Sequence, residues 1–135
     1  YSHHRLCQLQ APLNVFDNRL IDNNLLNNLK KKNIEIHARS IFLQGLLVNR
    51  SLVKKKKFNK FKYEINKWFK YIDENKFDPT NECLKHVLNQ KIDKIVIGFD
   101  RCSQIKNILN SKLNKIKIKN HFNLNNKNLI DPRKW

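Results

Sequence analysis

The residues best suited to hold a ligand lie in one segment, residues 34–47, which reads IEIHARSIFLQGLL. The segment begins with the alternation of a strand and continues as a nearly unbroken apolar run. Arg39 and Ser40 interrupt that run, and Gly45, one of only two glycines in the chain, lies near its end. A surface loop would not be so apolar, and a plain core strand would not carry Arg-Ser. We therefore expect a buried strand that delivers Arg39 and Ser40 to a ligand.

A metal centre is not predicted. His3, His4 and Cys7 lie close together, but His-His-x-x-Cys is not a standard spacing for zinc ligands. The three cysteines, Cys7, Cys83 and Cys102, are far apart and include no Cys-x-x-Cys pair. Their odd number argues against a disulfide framework and indicates a reducing, cytoplasmic setting.

The net charge of the chain suggests a different class of partner, a polyanion. The 28 Lys and Arg residues against 11 Asp and Glu give a net charge of +17, as in many proteins that bind nucleic acid or anionic membranes. The lysines accompany abundant Asn and Ile and only 2 Gly, a composition typical of AT-rich coding sequences. We therefore attribute much of the charge to composition. No apolar stretch reaches the roughly 20 residues of a membrane span, so no membrane partner is expected.

Residues 54–71, KKKKFNKFKYEINKWFKY, support an alternative function. Lysines interleaved with aromatic residues are typical of surfaces that follow phosphates and stack on single-stranded nucleic acid. The aromatic residues at 58, 61 and 68 or 69 nevertheless fall at helical spacing with Ile65 and Ile72, which predicts one buried stripe. We favour a core role for them, with the lysines in solvent, and keep single-stranded nucleic-acid binding as the alternative.

Strands and helices alternate along the chain. We predict a strand near residues 6–12, a helix over 20–33, a strand at 34–38, a basic exposed loop from 49, a helix from 58, a helix after Asp78-Pro79, a strand at 94–97 and a helix from 102. The apolar residues expected to face inward on the last two helices are Cys83, Leu84, Val87 and Leu88, then Ile105, Ile108 and Leu109. Such alternation builds a parallel sheet with helical crossovers.

The predicted sheet is too small for an independent domain, because a parallel sheet needs both faces covered. The chain also contains no Met, even at position 1. We therefore expect one partial domain over residues 1–135, with a structured unit at 6–112 and a C-terminal tail at 113–135. A non-enzymatic remnant is a further possibility.

Three segments resemble the aldo-keto reductases. Ala38-Arg39-Ser40 followed by Gly45-Leu46-Leu47 is similar to the end of the family's seventh barrel strand, and HARSIFLQGLL is most like a bacterial branch. QAPLNVFD, residues 10–17, looks like the end of the sixth strand. IDKIVIGFDRCSQIKNIL, residues 92–109, looks like the eighth strand and the helix after it. The three segments follow in register over most of the chain.

This resemblance implies an α/β fold, the (β/α)8 TIM barrel, and reduction of a small-molecule carbonyl substrate with NADP or NAD. Residues 6–112 would be the C-terminal half of the barrel, strands six to eight with their helices, and the missing N-terminal half would be its partner. Phosphate is often bound by the loops after strands seven and eight of such barrels. The family's catalytic tyrosine, aspartate, lysine and histidine come from the first four strands. The resemblance therefore implies no catalytic residue here and no reductase activity of this chain alone.

The resemblance also implies a set of cofactor-binding residues. Gln10 matches the glutamine that holds the nicotinamide carboxamide. Arg39 stands where the family has an aromatic residue against the nicotinamide ring, and a planar guanidinium can also stack on such a ring. Four residues match the segment along the pyrophosphate, where a glycine permits close approach of the backbone: Ser40, Phe42, Gln44 and Gly45.

The adenosine end of the cofactor is matched by a second set: Gly98, Phe99, Asp100, Arg101 and Gln104. Backbone amides at the start of a helix favour an anion there. Arg101 can pair with a 2′-phosphate, whereas Asp100 would repel one and can accept a hydrogen bond from a ribose hydroxyl. The arginine that the family often has near Gln104 is lacking. The choice between NADP and NAD therefore stays open at this point.

Overall fold

A computed structural model describes residues 6–110, 122 and 126–135. Its strands and α-helices, in chain order, are β1 (Gln8–Pro12), α1 (Leu25–Lys31), β2 (Glu35–Arg39), α2 (Lys62–Glu74), α3 (Pro79–Leu88), β3 (Lys94–Ile95) and α4 (Cys102–Asn110). The strands form one parallel sheet in the order β1-β2-β3, as the alternation predicted. His3 and His4 lie outside the described residues, as does much of the predicted tail.

The two faces of the sheet differ in polarity. Ile36 and Ala38 of β2 are fully buried and pack against Leu84 and Val87 of α3 in an apolar cluster. The opposite face of β2 carries Glu35, His37 and Arg39, because successive strand residues point to opposite sides. Helices α1 and α3 therefore pack on one face of the sheet, and polar side chains line the other.

Side chains of all three strands are joined across the polar face. Gln8 Nε2 donates to His37 Nδ1 at 3.2 Å, and His37 Nε2 donates to Glu35 Oε1 at 2.7 Å. Lys94 Nζ lies 2.7 Å from the same carboxylate oxygen. The Lys94 ammonium and the His37 ring lower the pKa of Glu35. This row of contacts links β1 and β3 to the central strand β2.

A second cluster forms around the aromatic residues of α2. The predicted stripe is confirmed as core, since its members are at most 5% exposed: Phe58, Phe61, Ile65, Trp68, Phe69 and Ile72. Trp68 packs edge-on against Phe16 and Phe122, and its Nε1 donates to Leu47 O at 2.8 Å. Lys54 to Lys57 are exposed, as predicted for the charged side chains.

Two connecting segments differ from the sequence prediction. The segment expected as a basic loop forms short 3-10 helices, Arg50–Lys54 and Lys56–Phe61, because Val53 and Phe58 are drawn into the core. The apolar run after β2 is a series of turns rather than a continued strand. Its apolar side chains are nevertheless buried, among them Ile41, Leu46 and Leu47.

Helix α3 begins as predicted. Asp78 Oδ1 accepts from Asn81 N at 2.8 Å, and Pro79 is the first helical residue. The inward position predicted for Leu88 is wrong, because this last residue of the helix is 51% exposed. Helix α4 forms over the predicted segment, but none of its residues is buried by the described part of the chain, and Leu109 is 78% exposed.

The last described segment joins the core around α2. Leu129 and Ile130 are buried there together with Phe122. Trp135 packs edge-on against Phe58 and donates from its Nε1 to Leu129 O at 2.9 Å. Part of the predicted tail therefore contributes to the same apolar cluster as the helices.

Replacement of Trp68 by Phe should destabilise the fold. The change leaves the buried Leu47 carbonyl without its donor, which costs about 1–3 kcal/mol in free energy of unfolding. Urea denaturation followed by far-UV circular dichroism measures the difference. Tyr63→Phe, a change on the exposed side of the same helix, should alter stability by less than about 0.5 kcal/mol. Equal effects of the two substitutions would contradict the assigned role of the indole.

Candidate functional site

A cleft of about 880 Å³ opens where β2 and β3 end. Its walls come from the turns after β2, the loop after β3, helix α4 and the start of α3. Nine of the residues predicted from the sequence line it: Arg39, Ser40, Phe42, Gln44, Gly45, Gly98, Phe99, Asp100 and Gln104. Gln10 and Arg101 are not part of the lining.

Strand pairing explains why these two segments meet. Ala38 pairs with Ile95 in parallel, and Val96 N donates to Ala38 O at 2.8 Å. Parallel neighbours leave a sheet at the same edge. Ser40 and Gly98, which follow the two strands, therefore open toward the same side and border one cleft.

The backbone after β2 is unusual. Ser40, Leu43, Gln44 and Gly45 all have positive φ, at 57°, 47°, 54° and 81°. Only the last is a glycine, and such a conformation costs other residues of the order of 1 kcal/mol each. Leu43 is 1% exposed, so its burial in the core compensates for the strain at that residue. Burial of apolar neighbours thus fixes a backbone that its own dihedral preferences do not favour.

This backbone leaves several amides available. Leu43 N donates to Ser40 O and Leu47 N to Phe42 O, which closes the turns. The amides of Phe42, Gln44 and Gly45 donate to no acceptor within the described residues. Consecutive amides near left-handed residues form concave sites for anions. The turn can therefore accept an anionic group such as a phosphate at the rim of the cleft.

Arg39 is the only Lys or Arg among the described residues that line the cleft. Its side chain is exposed and donates from Nη1 to Ser40 Oγ at 3.2 Å. Gln10 lies on the neighbouring strand, on the same polar face of the sheet. It pairs with His37, two pairs of residues before the pair of Pro12 with Arg39. Gln10 is exposed on that face rather than at the rim of the cleft.

The loop after β3 is held by Gln104. Its Oε1 accepts from Asp100 N at 2.9 Å and from Arg101 N at 3.2 Å. A glutamine in the first turn of a helix that reaches back to the preceding amides is a known capping arrangement. Sequence reasoning had assigned Gln104 to the cofactor and missed this structural role. The sequence did contain a signal for this cap, because Gln104 lies three residues after Arg101, the residue that precedes the helix.

The profile of the Aldo/keto reductase family matches residues 3–128. The chain belongs to the aldo/keto reductase family. Comparison with curated proteins and with solved structures found no match. Membership in this oxidoreductase family confirms the family predicted from residues 10–17, 38–47 and 92–109, and it agrees with the α/β order and the parallel sheet.

The described part of this aldo/keto reductase chain was also compared with the patterns of metal sites and membrane-spanning helices. It contains no group of three His, Cys, Asp or Glu side chains that could hold a metal ion. None of the described helices is long and apolar enough to cross a bilayer.

A buried asparagine supports the turn after β2. Asn14 is fully buried, and its Nδ2 donates to Ser40 O at 3.0 Å. Its Oδ1 accepts from the amides of Phe16 and Asp17, both at 3.0 Å. Sequence reasoning missed Asn14, although an asparagine shortly after a proline at a strand end is a typical turn signal. Asn14 thereby ties the chain after β1 to the chain after β2.

A second buried pair joins this region to α3. His86 Nε2 donates to Asn18 Oδ1 at 2.8 Å, and both residues are at most 3% exposed. The Nδ2 atom of Asn18 has no hydrogen-bond partner among the described residues. Burial lowers the pKa of His86 from its ordinary 6.5 to about 4, since a charged imidazolium is costly there.

Acid should therefore destabilise the protein through His86. The unfolded chain takes up the proton near pH 6.5, whereas the folded chain resists it until about pH 4. This contribution to stability is complete above pH 6.5 and is lost as the pH falls to 4, by an amount on the order of 3 kcal/mol. His86→Gln should remove that slope in a comparison of urea denaturation at pH 7, 6, 5 and 4. Parallel curves for both proteins would refute the assignment.

Proposed function

We propose that these residues form the dinucleotide-binding wall of an NADP- or NAD-dependent aldo-keto reductase that acts on a small carbonyl substrate. The observation that carries the proposal is the shared cleft at the ends of β2 and β3, with the free amides of Phe42, Gln44 and Gly45 at its rim. A diphosphate needs several hydrogen-bond donors in a fixed arrangement, and the backbone amides of a strained turn provide such an arrangement.

The residues present suit such a cofactor along the cleft. The turn at residues 40–45 would receive the diphosphate, and Arg39 at the end of β2 would lie along the nicotinamide. An Arg side chain can both stack on a planar ring and attract the negative diphosphate. Residues 98–100 and Gln104 would receive the adenosine end. Gln10, outside the cleft lining, would reach the nicotinamide carboxamide from the polar face of the sheet.

The bound cofactor would supply the hydride for carbonyl reduction. The chain's own contribution is to bind and orient: the amides hold the phosphates, and Arg39 positions the ring. No residue of this chain matches the family's proton donor or its partners. We therefore propose that residues 1–135 bind the dinucleotide but have no reductase activity by themselves, and that other strands of the barrel supply the catalytic groups.

Two features support the assignment of β1, β2 and β3 to strands six to eight of a (β/α)8 barrel. The polar face of the sheet carries exposed side chains at Gln8, Gln10 and Lys94, and this open face would turn toward the barrel interior. The described residues also leave the apolar side of α4 largely exposed, including Leu109 and part of Ile105. Both surfaces require a neighbour, and the missing half of the barrel would provide it.

The alternative of single-stranded nucleic-acid binding gains no support. It required several aromatic side chains that are open to bases. Phe58, Phe61 and Trp68 are each at most 2% exposed, and Tyr63 is the only exposed aromatic residue of residues 54–71. The cytoplasmic location predicted from the cysteine pattern stays a prediction.

Replacement of Ser40 by Asp tests the proposed diphosphate site. Asp suits a positive φ better than Ser, so the fold should tolerate the change. A carboxylate beside the diphosphate should weaken binding of NADP and NAD by about tenfold or more through repulsion of like charges. Isothermal titration of the protein with each dinucleotide measures the effect.

Ser40→Asn is the matched control. Asn has nearly the same shape as Asp and tolerates a positive φ equally well, but it carries no charge. This variant should therefore retain most of the affinity for the dinucleotides. Ser51→Asp, which adds the same charge at an exposed position of the 3-10 helix Arg50–Lys54, outside the cleft, should also bind normally. Unchanged affinity in Ser40→Asp would remove Ser40 from the site.

A further inference from the structure

The walls of the cleft differ in charge. Of the described residues in its lining, only Arg39, Asp78 and Asp100 carry a charge. Arg39 lies at the end of β2, next to the turn that is proposed to receive the diphosphate. The wall formed by the loop after β3 and by α4 has Asp100 together with neutral side chains: Gln104, Asn107 and Asn110. No described cation belongs to that wall.

The loop after β3 also withholds its amides from an incoming anion. The start of a helix can bind phosphate through free backbone amides. Here the amides of Asp100 and Arg101 both donate to Gln104 Oε1, at 2.9 and 3.2 Å. An anion at this point would have to displace that side chain and would still face the Asp100 carboxylate.

Asp100 itself is free to accept hydrogen bonds. Its side chain is exposed, lines the cleft and has no partner among the described residues. Arg101, the residue predicted to pair with a 2′-phosphate, is exposed but lies outside the lining. A carboxylate in this setting attracts the two hydroxyls of a ribose and repels a phosphate attached to one of them.

We infer that Asp100 makes this site selective for NAD over NADP by accepting hydrogen bonds from the hydroxyls of the adenosine ribose. The inference rests on the proposed function, because it assumes that the cleft holds a dinucleotide with its adenosine end at residues 98–104. It adds the identity of the cofactor and the residue that determines it. Gln104 contributes indirectly, since its cap keeps the loop amides from compensating a 2′-phosphate.

Equilibrium titration of the protein that contains residues 1–135 with NAD and with NADP, without any carbonyl substrate, tests the inference. The wild type should bind NAD at least about tenfold more tightly than NADP. Asp100→Asn keeps the size of the side chain and removes its charge, so it should weaken NAD binding and strengthen NADP binding. The ratio of the two affinities should fall by about tenfold.

Arg101→Gln is the control on the neighbouring residue and should leave that ratio unchanged. Equal affinities in the wild type, or tighter binding of NADP, would overturn the inference while the proposed dinucleotide site survived. A preference for NADP that Arg101→Gln abolishes would give the selective role to Arg101 instead. Failure of both dinucleotides to bind would overturn the proposed function and this inference together.

Discussion

The parallel pairing of β2 with β3 is the constraint on which the cleft depends. The pairing is short, since β3 contains only Lys94 and Ile95. A clamp at Asp93 reinforces it: its backbone amide donates to Ile36 O, while its carboxylate accepts from Ile36 N at 2.7 Å and from Lys30 Nζ. The Lys30 ammonium and the Ile36 amide lower the pKa of Asp93. A slip of one residue would reverse the faces of β3 and separate the two loops.

The two faces of the sheet have different roles. Apolar residues on one side bind the helices and fix the strands in place. The other side carries a hydrogen-bonded row from Gln8 through His37 and Glu35 to Lys94, and it leads to Arg39 at the rim of the cleft. Interiors of (β/α)8 barrels are usually filled with bulky branched side chains. A polar row in that position would demand polar partners from the other strands of the proposed barrel.

Local patterns in the sequence predicted much of this fold. The spacing of Phe58, Phe61, Ile65, Trp68 and Ile72 predicted the buried stripe, because a helix repeats every 3.6 residues. Asp78-Pro79 predicted the start of α3 through capping chemistry. The ends of β2 were also predictable within one residue, whereas β3 ends two residues before its predicted end. These features depend on nearby residues, which is why a single sequence suffices for them.

Features that depend on distant contacts were not predictable. The positive φ of Ser40 and Leu43 is imposed by burial of the turn and by the hydrogen bond from Asn14, a residue far from it along the chain. The capping role of Gln104, by contrast, is local and was open to prediction, and it was missed because Gln104 also matches a cofactor-binding residue of the family. The exposure of α4 could not be foreseen, because its apolar spacing describes a helix face and not the neighbour that covers it.

Hydrogen–deuterium exchange with and without NAD tests the central claim most directly. A dinucleotide that spans both loops would engage the free amides of Phe42, Gln44 and Gly45 with its diphosphate and shield the loop after Gly98 with its adenosine end. The account predicts slower exchange on NAD binding in peptides that cover residues 40–47 and also in those that cover 98–104, with little change in α1. Protection confined to one of the two loops, or absent from both, would contradict it.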